Sequence, residues 1–172
     1  MAAARSVMFP PDLVELSADV IARYRRAGLC LGTAESCTGG MIGACLTEVA
    51  GSSDVFDRGF ITYSNAAKVA LLGVPETLLA DHGAVSEPVA RAMAVGAVTR
   101  GGVDLAIAVT GIAGPGGGRP GKPVGLVHIA AARRRDGRAP DVVHEMHHFS
   151  GTRTDVRLLT VRAALLLLSR LA

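Results

Sequence analysis

Two stretches of the sequence gather groups able to attack a carbonyl carbon. The first is Thr33–Gly40, TAESCTGG, where Ser36, Cys37 and Thr38 are potential nucleophiles beside the Glu35 carboxylate. The second is Gly51–Lys68, GSSDVFDRGFITYSNAAK, which supplies Ser52 and Ser53, then Tyr63, then Lys68. A serine hydroxyl is a weak nucleophile unless a base takes its proton. No histidine is convincingly placed to do so. A lysine could serve if desolvation or a neighbouring cation keeps it neutral. Tyr63 could relay the proton or stabilise charge. By residue type alone, Lys68 is equally an exposed helix residue, and Ser52 or Ser53 a helix cap.

TAESCTGG falls between a strand and a helix, the junction where α/β sheets bind ligands. Gly39 and Gly40 permit close backbone approach, and free N–H groups at a helix start favour an anion or a developing oxyanion. A cap by Ser36 or Thr38 is the plainer reading. The density of hydroxyls exceeds what one cap needs, so this stretch is read as a cradle for substrate.

Two other motifs are weaker than they look. HEMHH, His144–His148, matches the H-E-x-x-H pattern, which binds zinc when both histidines share a helix face. Pro140 before it and Gly151 after it leave little room for a helix, and the valines leading in suit a strand. On a strand the two histidines would stand about 13 Å apart, at about 3.3 Å per residue, too far for one metal ion. GGGRPGKP, Gly116–Pro123, begins like a phosphate-binding P-loop, but Pro123 replaces the Ser or Thr that would hold magnesium. It is read as a glycine-rich rim that lets backbone approach a ligand, with the reach of Lys122 left open.

The elements that must position these groups follow from periodicity. Helical spacing runs from Pro11 to Gly28, then LCLGTAE reads as a strand entering the cradle. MIGACLTEVAG reads as a helix closed by Gly51, and Arg58–Ser64 as a strand. NAAKVALLG and PETLLADHG are short glycine-ended helices, and Glu87–Arg100 is a longer one. Val103–Gly111 is a mainly apolar run of strand length, as for a strand buried on both faces. VGLVHIAAARR and DVVHEMHHF read as two antiparallel strands joined by RDGRAP. A last helix starts near Thr152, with Val156, Leu159, Ala163 and Leu166 on one face. Alternating helices and strands imply an α/β fold, a three-layer α/β/α domain with a mixed central sheet. Residues 1–172 are read as one domain, with about 1–10 as an N-terminal extension.

The 172 residues suffice for a substantial core, which at 49% apolar but only 3% aromatic must be built from Ala, Val, Leu and Ile. The net charge of +3 comes from dispersed arginines, and few aromatics leave no stacking platform, so nucleic acid is not the expected partner. Three cysteines without a C-x-x-C pair fit neither a disulfide framework nor structural zinc and suggest a reducing cytoplasm. The start, MAAARSVMFPPDL, is not read as a signal peptide, and ALLLL is too short to span a bilayer. No membrane partner is expected. An Ala/Leu-rich surface, readily buried between copies, makes a homo-oligomer plausible.

The sequence resembles the C-terminal domain of the competence-damage protein CinA, which also occurs alone as the nicotinamide-nucleotide amidohydrolase PncC. The resemblance is carried by TAESCTGG, VAGSSDVFDRGFITYSNAAKVALLGV, HGAVSEPVA, VTGIAGPGGG with KPVGLV, and FSGTRTDVR, in the expected order. The matching stretches do not include the N-terminal pterin-related domain of full-length CinA proteins. The resemblance implies deamidation of nicotinamide mononucleotide to nicotinate mononucleotide and ammonia, with no metal and no cofactor. It assigns Ser53 of GSS as nucleophile, with Tyr63 and Lys68 completing a Ser-Tyr-Lys set and a serine acyl-enzyme between two half-reactions. Oxyanion donors would come from backbone near Thr38 and Gly39, or near Ser53. Substrate-binding candidates are Glu35, Ser36, Cys37, Thr38, Gly39, Gly40, Thr110, Gly111, Gly114, Arg153 and Arg157. The late motif usually reads G-D-R in the family, whereas this chain has G-T-R, which removes an acidic residue at position 152. The alternatives are a nucleotide-binding or regulatory module without turnover, serving competence or DNA repair, and a zinc hydrolase built on His144 and His148.

Overall fold

The computed structural model describes residues 8–172. Five strands form one mixed sheet in the order β2-β1-β3-β4-β5. β1 (Leu31–Glu35) pairs in parallel with both β2 (Phe56–Ile61) and β3 (Leu105–Gly111). β4 (Leu126–Arg135) and β5 (Arg138–His148) continue the sheet antiparallel. Asp136 and Gly137 turn β4 into β5, and Gly137 takes the positive φ of 70° that a two-residue hairpin requires. Pro140 is tolerated because β5 is an edge strand.

Side chains on β3 alternate between two cores. Leu105, Ile107 and Val109 pack with α1 (Pro11–Ala27), α2 (Met41–Thr47) and α6 (Arg153–Leu171). Ala106 and Ala108 face α5 (Glu87–Gly101), where small side chains bring the helix close to the sheet. α3 (Asn65–Leu72) and α4 (Glu76–His82) pack against α5, completing the third layer. Both faces of the sheet are therefore covered, and β3 is buried along nearly its whole length.

Several boundaries depart from the sequence reading. β2 begins at Phe56 and ends at Ile61, because after the Thr62 N–H bonds the Glu35 carbonyl (2.8 Å) the chain turns into α3. Tyr63 and Ser64 thus lie in a turn, and the Ser64 hydroxyl caps α3 by accepting from the Ala67 N–H (3.0 Å). α2 stops at Thr47, four residues before Gly51. Of the face expected on α6, Val156 and Ala163 are buried but Leu166 is 43% exposed, and the buried surface extends to Val161, Ala164, Leu165 and Leu168. Phe9 is buried in the α1–α6 core, so the chain is already part of the domain there, while the rest of the expected extension, 1–7, lies outside the described residues.

Gly96 fixes how α3 sits. A Cβ at this position would stand 2.0 Å from the Leu72 carbonyl oxygen at the end of α3. Gly96→Ala should destabilise the fold by about 2–3 kcal/mol, although alanine is the better helix former by about 1 kcal/mol. Chemical denaturation checks this; equal or greater stability would show that α3 is not held by this contact.

Candidate functional site

Four segments converge at the C-terminal edge of the parallel strands. β1 ends in the loop bearing Ser36 and Cys37, β2 turns through Tyr63 into α3 bearing Lys68, and β3 ends at Thr110 and Gly111. α6 contributes Arg153 from its first turn. Together with Asn65, Ala84, Val85 and Ala113 they line a cavity of about 210 Å³. This is the edge at which open α/β sheets bind ligands.

Lys68 is 1% exposed. Its Nζ lies 3.0 Å from Ser36 Oγ and donates to the Thr62 carbonyl at 2.8 Å. Both partners are neutral, and burial pushes the Lys68 pKa below the ordinary lysine value of 10.5. Lys68 is thereby shifted toward the neutral amine that a general base needs. In that form the contact with Ser36 runs the other way, with the serine hydroxyl donating to nitrogen.

The Ser36 loop is held by groups that do not reach the cavity. The buried Glu35 carboxylate accepts from Thr38 Oγ1 (2.6 Å) and from the N–H groups of Gly40 (3.0 Å), Ile42 (3.0 Å) and Gly43 (2.9 Å). It thus satisfies the start of α2, where a negative charge is favoured by the helix dipole. Gly39 and Gly40 have φ of 57° and 103°, which the tight turn requires. Arg157 donates to the carbonyls of Cys37 (3.2 Å) and Thr38 (3.1 Å), clamping the loop to α6. Glu35, Thr38, Gly39, Gly40 and Arg157, expected to touch substrate, are therefore placed as scaffold. The Gly39 N–H bonds the Ser36 carbonyl (3.1 Å), so it is not available as an oxyanion donor.

Tyr63 Oη accepts from Arg153 Nη2 (2.9 Å), and Arg153 Nη1 donates to the Gly114 carbonyl (2.8 Å). The hydroxyl proton of Tyr63 is left for another acceptor, and Arg153 keeps an unneutralised charge at the cavity wall. Thr110 Oγ1 donates to the Ala84 carbonyl (2.8 Å) and fixes the opposite wall. Cys37 also lines the cavity, but burial pushes its thiol up to about 12, so the thiolate is not available at neutral pH. Thr152 caps α6 reciprocally with Asp155: its N–H donates to the Asp155 carboxylate (2.7 Å) and its Oγ1 accepts from the Asp155 N–H (3.3 Å). Threonine thus fills the capping role at position 152, and the acidic group of this turn is Asp155.

Ser53 stands elsewhere. It is exposed in a short 3-10 turn, Ser52–Asp54, ahead of β2, whereas Tyr63 and Lys68 follow β2. The six-residue strand between them spans roughly 16 Å at about 3.3 Å per residue. Within one chain, Ser53 does not meet Lys68, which corrects the expected Ser53-Tyr63-Lys68 set. The sequence reading has Ser36 among the substrate-binding candidates and Ser53 as nucleophile, and it does not include Asn65, Ala84, Val85 or Ala113. His144 and His148 lie on β5, four residues apart along an extended strand, as the alternation implied. His144 Nε2 meets His128 Nδ1 (2.9 Å) across the β4–β5 pair.

An α/β/α domain with a desolvated lysine against a serine at the C-terminal edge of its sheet has the layout of an enzyme pocket. The model of the CinA C-terminal domain matches residues 13–172, and the chain belongs to that family. The CinA-like protein of Syntrophobacter fumaroxidans is 53% identical over 148 residues, covering 86% of this chain and 34% of that protein. The CinA-like protein of Mycobacterium sp. (strain JLS) is 56% identical over 144 residues, covering 84% and 33%. The chain thus spans about a third of the length of these curated relatives. Among solved structures, the competence/damage inducible protein CihA from Agrobacterium tumefaciens superposes with a TM-score of 0.91 at 49% identity, covering 96% of this chain and 99% of that one. A competence-damaged protein (CinA) superfamily protein from Escherichia coli gives 0.86 at 35% identity, covering 98% and 96%. Among the described residues, no helix is long and apolar enough to cross a membrane.

The lowered pKa of Lys68 has a consequence for stability. Between that value and about 10.5 the unfolded chain binds more protons than the folded one, so folded stability rises with pH across this window. Below the window the full cost of burying the charge is carried. The stability of wild type relative to Lys68→Met should therefore increase as pH rises toward 10.5, as read by denaturation at several pH values. A pH-independent difference would contradict the desolvated lysine.

Proposed function

We propose that the chain is a serine amidohydrolase acting on the carboxamide of a nicotinamide nucleotide, with Ser36 as nucleophile and Lys68 as general base. The observation that carries this reading is the 3.0 Å contact between the buried Lys68 Nζ and Ser36 Oγ, with no carboxylate on the lysine. The carboxamide substrate comes from the family resemblance; the geometry supports acyl transfer at this serine.

The neutral Lys68 amine takes the Ser36 proton as Oγ attacks the carboxamide carbon. The tetrahedral oxyanion is met by the backbone N–H of Cys37, which lines the cavity next to Ser36. Lys68, now ammonium, returns the proton to the departing nitrogen, the C–N bond breaks and ammonia leaves. Water then attacks the acyl-enzyme with Lys68 again as base, and the acid product leaves with Ser36 restored. Tyr63, polarised by Arg153, donates its hydroxyl proton in a hydrogen bond to the substrate. The net reaction adds one water and releases one ammonia. No step in this scheme calls on a metal.

Ammonia release from nicotinamide mononucleotide tests this reading. Ser36→Ala and Lys68→Met should each lower kcat/KM by about 10³-fold or more, whereas Ser53→Ala stays close to wild type. The wild-type rate should rise with pH to a plateau whose apparent pKa lies below 10.5, since only neutral Lys68 accepts the proton. Full activity in Ser36→Ala, or its loss in Ser53→Ala alone, would overturn the assignment. A wild type that binds nucleotide without turnover would favour a binding module.

A further inference from the structure

The catalytic cavity is too small for a whole nucleotide. Its volume of about 210 Å³ falls below the roughly 300–1,000 Å³ usual for small-molecule sites. It adjoins a second, open cleft of about 810 Å³, and Asn65, Ala84 and Val85 line both. A ligand whose amide reaches Ser36 must therefore extend its remaining bulk past these three residues into the larger cleft.

Arg119 and Lys122 line that cleft. Their backbones exchange both hydrogen bonds, Arg119 N–H to Lys122 carbonyl and the reverse, each 2.9 Å. Directly paired residues in an antiparallel bridge send their side chains to the same side. Gly121, at φ 76°, makes the Pro120-Gly121 turn that closes the bridge. The two cationic heads converge over Gly83: a Cβ there would stand 2.8 Å from Arg119 Nη2 and 3.1 Å from Lys122 Nζ. Lys122 Nζ also donates to the His82 carbonyl. No ion pair among the described residues includes either cation, although Asp81 also lines the cleft. Burial and the nearby Arg119 lower the Lys122 pKa, as expected for like charges held together without an anion.

We infer that Arg119 and Lys122 form an anion subsite that receives the phosphate monoester of the substrate, with the amide end lying in the Ser36–Lys68 cavity. The inference deepens the proposed function and rests on it for the placing of the amide. A phosphate monoester carries about −1.5 to −2 charges at pH 7 and three acceptor oxygens, enough to engage both cations. The hairpin holds the cations together in advance, so less ordering remains for the ligand to induce. Arg153 stays at the reacting end, bonded to Tyr63 and Gly114. The subsite makes the chain selective for phosphorylated amides over their dephosphorylated nucleosides, and it accounts for the segment that resembles a P-loop without being one.

The test is calorimetric titration of the Ser36→Ala chain with nicotinamide mononucleotide and with nicotinamide riboside, which lacks the phosphate. The expected preference for the mononucleotide is about tenfold to a hundredfold, declining as salt is raised. The Arg119→Gln/Lys122→Gln double variant should bring the ratio close to one by weakening the mononucleotide alone, with an unchanged Tm showing that the fold is intact. Lys122→Arg, which keeps the charge, should retain the preference. An unchanged ratio in the double variant, or no preference to begin with, overturns the subsite. The two readings fail separately. A phosphate preference that depends on Arg119 and Lys122 without ammonia release in wild type sinks the hydrolase and keeps the subsite. Ammonia release that needs Ser36 and Lys68, with no such preference, does the reverse.

Discussion

A lysine stripped of water and left without a carboxylate is the interaction on which the rest of this structure depends. Lys68 gives its hydrogen bonds to one hydroxyl and one carbonyl, and neither offsets a full positive charge. The folded chain carries that cost because α3 is fixed at both ends. The Ser64 cap sets its start, and the close pass of Leu72 over Gly96 sets its end. Loosening either contact would let water reach Nζ and return the group to ordinary lysine behaviour. Stability and reactivity pull in opposite directions at this position, as is common where a fold holds a strained group for chemistry.

The loop facing Lys68 solves a second electrostatic problem. TAESCTGG leads into a helix whose first N–H groups need acceptors, and Glu35 supplies its carboxylate from beneath. Arg157 closes the loop from the other side through two carbonyls. Glu35 and Arg157 thus fix the position of Ser36, and any part they have in the proposed reaction runs through it. With the acid used as a cap, no carboxylate among the described residues pairs Lys68, and burial lowers its pKa unopposed by an anion. The same division holds at the mouth of the cavity, where Arg153 serves Tyr63 while the Arg119–Lys122 hairpin faces the open cleft.

Much of this was legible in the sequence. The alternation of elements implied three layers and a mixed sheet, and the mainly apolar run Val103–Gly111 marked a strand buried on both faces. Tyr63 and Lys68 were candidates by residue type, and the family resemblance singled them out, since by type alone Lys68 is equally an exposed helix residue. Their partner was harder to read. Ser53 is nearer to them in sequence, but a parallel strand carries the chain from one end of the sheet to the other. Residues before β2 and after it are thus kept apart, while Ser36 is brought close through the pairing of β1 with β2. That relation is set by register, which neither composition nor spacing encodes. Leu166 escaped for a related reason: helical periodicity marks an apolar face, but the neighbours of α6 choose which stripe is buried.

The most direct measurement is chemical. A serine-reactive fluorophosphonate applied to the native protein, followed by mass spectrometry of its peptides, reports which hydroxyl is activated. The account predicts a single modified serine at Ser36, labelled faster as pH rises and unlabelled in Lys68→Met. Modification of Ser53, or equal labelling of Ser36 with and without Lys68, would contradict it.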